Sequence, residues 1–301
     1  MRFGVAFANV GPFVEPEAAC RLARAAEASG FDSVWTVDHV VVPTGYRSAY
    51  PYDPSGRLPS GEDAPFPDPL VWLAYVARET RTVRLATGIL VLPQRNPLVL
   101  AKQLATLDVL SGGRVTLGVG IGWLEEEYRA LGAAFEGRGE RLEEYVAAMR
   151  ALWSEDRATF RGRDVAFRDS VLRPQPVRGT IPVLVGGHSE VAARRAGRMG
   201  DGFFPFGVAG DRLGHLLAVM REAAGRAGRD PSSVEVTVSS TTVDPAPALD
   251  ELEALASMGV DRVVVPAALF RQDVEDGLAR YGREVAAAAG GGTLVPERSP
   301  T

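Results

Sequence analysis

The feature that most constrains this chain is a repeated alternation: a short apolar run, a turn, then a stretch with apolar residues at helical spacing. The run from Arg2 to Ala8 is short and mostly apolar and is followed by turn residues, which predicts a buried strand. Glu15-Pro16-Glu17 predicts a helix start, because Pro at the first helical position has no N–H to leave unpaired and acids suit the positive helix end. Ala18, Ala19, Leu22, Ala23 and Ala26 keep helical spacing, Gly30 can stop the helix, and residues 33–37 return as a strand. The cycle recurs with a helix over 68–80 and a strand over 84–92. Asn96-Pro97 then opens a helix that Gly112-Gly113 closes, before a strand over 115–119. One or two helices fill 123–153, broken near Gly137. The remaining pairs are strand 182–185 with helix 189–199, strand 202–205 with helix 211–227, strand 234–239 with helix 249–258, and strand 261–265 with a last helix to about 289.

Eight strands, each followed by a helix, predict an α/β protein. Short apolar strands without strict alternation suit a parallel sheet covered on both faces. Right-handed crossovers can close such a sheet into a (β/α)8 TIM barrel, for which 301 residues is an ordinary length. An open doubly wound sheet shows the same alternation; the count favours the barrel. The expectation is a single barrel domain over 1–289 and a Gly- and Pro-rich tail over 290–301 that is loose. Two excursions rich in Pro, Gly and charge interrupt the rhythm, at 39–67 and at 154–180.

Composition narrows the function classes. Hydrophobic residues make up 46% and charged residues 24%, as in a globular chain. The 33 Lys+Arg against 38 Asp+Glu leave a net charge of −5, so no positive excess is available for phosphate backbones and no nucleic-acid partner is expected. One cysteine, Cys20, excludes intrachain disulfides and Cys-based metal sites, and no metal is expected. No apolar run approaches the ~18–20 residues that span a bilayer, and the first residues lack the apolar stretch of a signal peptide. A soluble cytoplasmic protein with no membrane partner is expected.

In a barrel, chemistry stands at the C-terminal ends of the strands. The second strand ends in Asp38-His39, an imidazole that can move a proton near neutral pH beside a carboxylate that can orient it; a loop hydrogen-bond network explains the pair as well. Of the three histidines, His39 and His188 directly follow strands, and His215 falls in a predicted helix as a surface residue. The third strand holds Gly88-Ile89, where a glycine marks either a bulge or simple packing. The fourth runs into Gly118-Val119-Gly120-Ile121-Gly122-Trp123, whose spacing is not that of the dinucleotide fingerprint and which also fits a plain tight turn. The fifth ends in Gly186-Gly187-His188-Ser189 and opens a helix, a phosphate seat or an ordinary Ser cap. No phosphate-binding P-loop, nucleophile elbow or zinc-protease motif is present, and Cys20 reads as a packing residue.

Five segments, VWTVDHVVVP (34–43), FPDPLVWLAYVA (66–77), RLATGILVLPQRNPLVLAKQLATLDVLSGGRVTLGVGIGW (84–123), RGERLEEYVAAMRALW (138–153) and VLVGGHSEVAARRAGRMGDGFFP (183–205), together resemble the luciferase-like flavin and deazaflavin oxidoreductases. The similarity is to the branch dependent on coenzyme F420, a deazaflavin. It covers most of residues 1–205; beyond about 206 the match is in pattern only.

The resemblance implies a (β/α)8 barrel with an insertion between strands four and five, consistent with the 154–180 excursion. It implies a homodimer, and a small organic substrate that exchanges a hydride with F420. It places Asp38 and His39 beside the cofactor ring as the catalytic pair, with a cis peptide at Gly88-Ile89 against the ring. Gly120, Gly122 and Trp123 would flank the ring, and Gly186, Gly187, His188 and Ser189 would hold the phosphate. Where the sugar-phosphate dehydrogenases of this family carry a Glu after the strand-four glycines, this chain has Trp123, which can wall an apolar pocket but cannot donate a catalytic proton. An FMN-dependent monooxygenase is the alternative on the same barrel, and a noncatalytic flavin-binding protein a third. Basic residues near the mouth, with Arg95 and Arg194 as candidates, would favour the longer acidic tail of the deazaflavin. Tyr46, Tyr50 and Tyr52 in the 39–67 loop are expected to line the substrate.

Overall fold

The computed structural model describes residues 1–290. The tail expected over 290–301 lies, beyond Gly290, outside the described residues. The strands are β1 (Arg2–Ala6), β2 (Ser33–Thr36), β3 (Arg84–Thr87), β4 (Leu90–Val91), β5 (Val115–Gly120), β6 (Ala158–Arg161), β7 (Ala166–Ser170), β8 (Val183–Gly186), β9 (Gly202–Phe204), β10 (Glu235–Ser239) and β11 (Arg262–Pro266). The helices are α1 (Pro16–Ala28), α2 (Pro69–Ala77), α3 (Pro97–Ser111), α4 (Glu125–Ala130), α5 (Arg138–Ser154), α6 (Glu190–Met199), α7 (Gly210–Arg226), α8 (Pro245–Ser257) and α9 (Val274–Tyr281).

The main sheet runs β3-β2-β1-β11-β10-β9-β8-β5-β4, and pairing of β3 with β5 closes it. Every pair in it is parallel, from Val5 beside Val265 to Leu184 beside Gly202. The result is an eight-stranded barrel in which β3 and β4 are two halves of one strand, both laid on β5. The strand expected over 84–92 is present in these two pieces, and the cis peptide that the resemblance implied at Gly88–Ile89 is found there. Gly88 and Ile89 lie between the two halves, and the Gly88 N–H donates to the Thr36 carbonyl at 2.6 Å. The insertion between barrel strands four and five is the antiparallel β6–β7 hairpin, whose turn donates three backbone N–H groups to Glu144 of α5, from Arg163 (2.9 Å), Asp164 (2.7 Å) and Val165 (2.8 Å).

Local chemistry sets the helix ends. Asp68 accepts from the N–H groups of Leu70 and Val71, and Asn96 from those of Leu98 and Val99; each is followed by Pro, which fits the first helical turn. Gly112, at φ 71°, ends α3 in the left-handed conformation that favours glycine. The expected helix over 68–80 stops at Ala77, and that over 249–258 starts earlier, at Pro245.

Two apolar layers result. The larger packs the helices onto the outside of the barrel. The smaller fills its interior with Ala6, Trp35, Ala86, Leu184, Phe204 and Val264, capped towards the C-terminal ends by Phe7, Ile89 and Phe206. The large Trp35 fits because Gly4 lies opposite; a Cβ there would come within 2.7 Å of the indole nitrogen. Below this plug Arg262, 2% exposed, is held by Asp32 and Glu235 and lies 5.6 Å from the Trp35 ring.

Candidate active site

The residues singled out by sequence converge on the C-terminal mouth of the barrel. The 39–67 segment leaves β2 and crosses that mouth as a strap. Its stem is fixed by Asn9, fully buried after β1, which donates to the carbonyls of Val37 (2.9 Å) and Pro67 (3.0 Å) and accepts from the Val37 N–H (2.8 Å). Its far end reaches the opposite side of the barrel, where the Tyr52 ring meets Phe206, just after β9, at 5.1 Å and His188 at 5.0 Å.

Three consecutive acids on α4 pin the strap. Glu127, 2% exposed, accepts from the N–H groups of Val40 (2.6 Å) and Val41 (3.3 Å), and its other oxygen lies 3.1 Å from His39 Nδ1. Glu126 accepts from the N–H groups of Arg47 (2.7 Å) and Ser48 (3.3 Å) and from the Ser48 hydroxyl (2.7 Å). Those bonds, the Arg47 N–H first, hold its carboxyl down at about 2. The Ser48 hydroxyl accepts in turn from the Glu125 N–H (3.1 Å).

His39 is therefore oriented by Glu127 rather than by its sequence neighbour. A carboxylate only accepts, so Nδ1 carries the hydrogen and Nε2 is the nitrogen left to exchange a proton. Asp38 turns the other way. It accepts from the Val91 N–H (2.9 Å) and from Arg95 Nη2 (2.7 Å), binding the end of β2 to the end of β4. Burial pushes its carboxyl up, opposed by the Arg95 guanidinium and the Val91 N–H. Asp38 and His39, expected as one pair, thus face different partners.

The Arg95 expectation changes with this. Its guanidinium is committed to Asp38 and, at 3.4 Å, to Asp68, which leaves it poorly placed for an acidic tail. Arg194 pairs with Glu190 and is half-exposed on α6. Arg212 instead reaches the Gly186–Ser189 turn, donating to the His188 carbonyl at 3.1 Å. The sequence reading missed Arg212, Glu127, Glu126 and Asn9. His215, expected at the surface, is exposed and bonds Glu190 at 2.9 Å.

The glycines at the strand ends share a cause the sequence did not display. Ile89 points into the barrel axis, and Cβ atoms on Gly120 and Gly186 would come within 2.6 Å and 2.5 Å of its side chain. Gly122, at φ 67°, faces Val91 and Tyr128. Gly187, at φ 136°, lets the chain turn into α6, where the Ser189 hydroxyl accepts from the Ala192 N–H at 3.2 Å. Between them His188 keeps Nδ1 buried without a protein partner. Burial and then the Arg212 charge push its imidazole down, which favours the neutral form. A buried nitrogen without a partner, on a turn at a helix N-terminus with an arginine over it, fits a ligand carrying phosphate.

Trp123 closes the other side of the mouth. Its ring meets His39 at 5.9 Å, Tyr46 at 5.3 Å and Tyr50 at 5.2 Å, and Phe66 packs on His39 at 5.2 Å.

The family model described as luciferase-like monooxygenase matches residues 1–297. The chain belongs to this luciferase-like family. It is 33% identical over 244 residues to the F420-dependent glucose-6-phosphate dehydrogenase of Kineococcus radiotolerans, covering 78% of this chain and 67% of that one. Among solved structures it resembles an F420-dependent secondary alcohol dehydrogenase in complex with an F420-acetone adduct, with TM-score 0.67 and 25% identity over 96% of this chain and 83% of that one. It also resembles a monooxygenase from Streptomyces bottropensis, with TM-score 0.65 and 27% identity over 95% and 84%. The fold is that of the luciferase-like TIM barrels. No helix among the described residues is long and apolar enough to cross a membrane. Among them, no group of three His, Cys, Asp or Glu side chains could hold a metal ion.

Proposed function

We propose that this protein is an F420-dependent oxidoreductase that transfers a hydride between the deazaflavin and a small organic substrate. The observation that carries the reading is His39 at the barrel mouth, with Nδ1 fixed by buried Glu127 and Nε2 free to exchange the substrate proton. Bound F420 would supply a hydride-carrying carbon where a flavin has nitrogen, and so two-electron chemistry. The protein's residues hold and orient. Ile89, Gly120 and Gly122 would seat the ring beside Trp123, and the Gly186-Gly187-His188-Ser189 turn would hold the phosphate with Arg212 over it. Asp38 acts through Arg95 and Val91, keeping the ends of β2 and β4 together under the ring.

The F420-dependent relative and the F420-dependent alcohol dehydrogenase structure support the cofactor. The likeness to the Streptomyces monooxygenase favours a second reading, an FMN-dependent monooxygenase using the same seat. Equilibrium titration separates them. F420 is expected to bind saturably and more tightly than FMN, followed by its fluorescence. Tighter FMN binding with substrate-dependent oxygen consumption would establish the second reading instead.

A further inference from the structure

The strap and Trp123 form a continuous aromatic surface across the mouth. Trp123 meets Tyr50 at 5.2 Å, Tyr50 meets Tyr52 at 5.4 Å, and Tyr52 meets Phe206 at 5.1 Å, each pair edge to face. This surface is set in advance. Tyr46, 2% exposed, packs under Trp123 and accepts from the Leu58 N–H at 2.8 Å, while Glu126 holds the strap from the α4 side. A ceiling already in place spares a ligand the cost of ordering it. The hydroxyls of half-buried Tyr50 and of Tyr52, 37% exposed, have no protein partner among the described residues, and desolvation pushes both phenols up, Tyr52 to about 12. Both can donate to a ligand oxygen.

Charge is turned away from this surface. Arg95 is committed to Asp38 and Asp68. Arg57 folds over the Tyr46 ring at 4.6 Å and donates to the Tyr46 carbonyl. Arg47 is exposed, where a lone cation adds little affinity for an anion. A sugar phosphate therefore finds neither a buried cation nor the carboxylate that Trp123 replaces.

Resting on the F420 reading above, we infer that the second ligand is a flat, uncharged molecule with an aromatic system next to a hydrogen-bond acceptor, an aryl ketone or its alcohol, selected by the Trp123–Tyr50–Tyr52 row. Aromatic rings pack edge to face or offset against this row, the carbonyl or hydroxyl oxygen accepts from a tyrosine hydroxyl, and an alcohol O–H donates to His39 Nε2. Flatness matters because the strap closes one side and the ring seat the other.

Calorimetric titration of the F420-loaded full chain tests this without turnover, with 2-acetylnaphthalene and glucose 6-phosphate as probes. 2-Acetylnaphthalene is expected to bind more tightly than glucose 6-phosphate. Trp123→Leu is expected to weaken it about tenfold, and Trp123→Phe, which keeps a ring, much less. Far-ultraviolet circular dichroism matching the wild-type protein shows that both variants fold, and each is titrated at an F420 concentration that fluorescence shows to saturate it. Tighter glucose 6-phosphate binding, or equal loss in the Leu and Phe variants, overturns the inference while leaving the cofactor reading intact. Failure of F420 to bind the wild-type protein overturns the cofactor reading itself.

Discussion

The two ends of the barrel are built on opposite rules. At the floor, where the strands begin, polar groups are closed on one another. Arg262 binds Asp32 through Nε and Nη2 at 3.0 and 2.8 Å and also pairs with Glu235; Arg2 reaches Glu235 at 2.7 Å, and Arg84 donates to the Thr116 hydroxyl at 2.8 Å. At the mouth, polar groups are left with a free side: His188 Nδ1, the Tyr50 and Tyr52 hydroxyls and the second nitrogen of His39. A charge network at the floor holds the fold, and the mouth keeps polar groups open to a ligand. Barrel enzymes separate stability from chemistry along the same axis.

Breaking the floor gives the largest effect. Arg262→Met strands Asp32 beneath the plug and leaves Glu235 with Arg2 alone, and is expected to cost ~3 kcal/mol of stability in urea unfolding. F420 affinity of the folded fraction should hold. Unchanged stability with lost F420 binding would invert the assignment of the two ends.

At the mouth, Glu127→Gln is expected to lower kcat about 10- to 100-fold, because a hydrogen bond to a charged group contributes ~1.5–3 kcal/mol. KM and F420 affinity should stay close to wild type, a split that a merely destabilising change would not produce. His188→Gln should weaken F420 about tenfold, about the worth of one hydrogen bond, and leave kcat nearly unchanged. It carries a pH signature too. His188 titrates lower in the folded protein than in the unfolded chain. The unfolded chain therefore binds the proton more readily, and stability falls as pH drops from about 6.5 towards the lower folded value. The His188→Gln variant should lose that slope in unfolding measured across this window. The smallest effect is expected for Ser189→Ala, ~1 kcal/mol of stability from the lost cap on α6.

The frame was legible in the sequence because its signals are local, whereas the floor network was not, since Arg262 meets Asp32 across 230 residues. Asp68-Pro69 and Asn96-Pro97 announce helix starts within four residues, and apolar runs between turn residues mark the strands. The strand ends carrying Asp38-His39, Gly88-Ile89, Gly120-Ile121-Gly122-Trp123 and Gly186–Ser189 were found for the same reason. Their partners were not, because the contacts are distant. Glu127 meets His39 across 88 residues, and within Glu125-Glu126-Glu127 nothing sets the third acid apart from a solvated helix start. The glycines looked like a ligand's clearance, yet the side chain that fills the space at Gly120 and Gly186 is Ile89, from another strand. Arg95 looked free because its commitment to Asp38 lies 57 residues away.

The central claim is that the mouth moves a proton through His39 in step with the cofactor's hydride. Its most direct test measures kcat and F420 affinity side by side for the wild-type protein and His39→Ala, once a screen of F420 oxidation and reduction has supplied a substrate. The expected result is a fall in kcat of about 100-fold or more with F420 affinity nearly unchanged, since Ile89, the glycines and the His188 turn are untouched. Near-normal turnover by the folded variant would contradict the account and place the proton transfer on water or another residue.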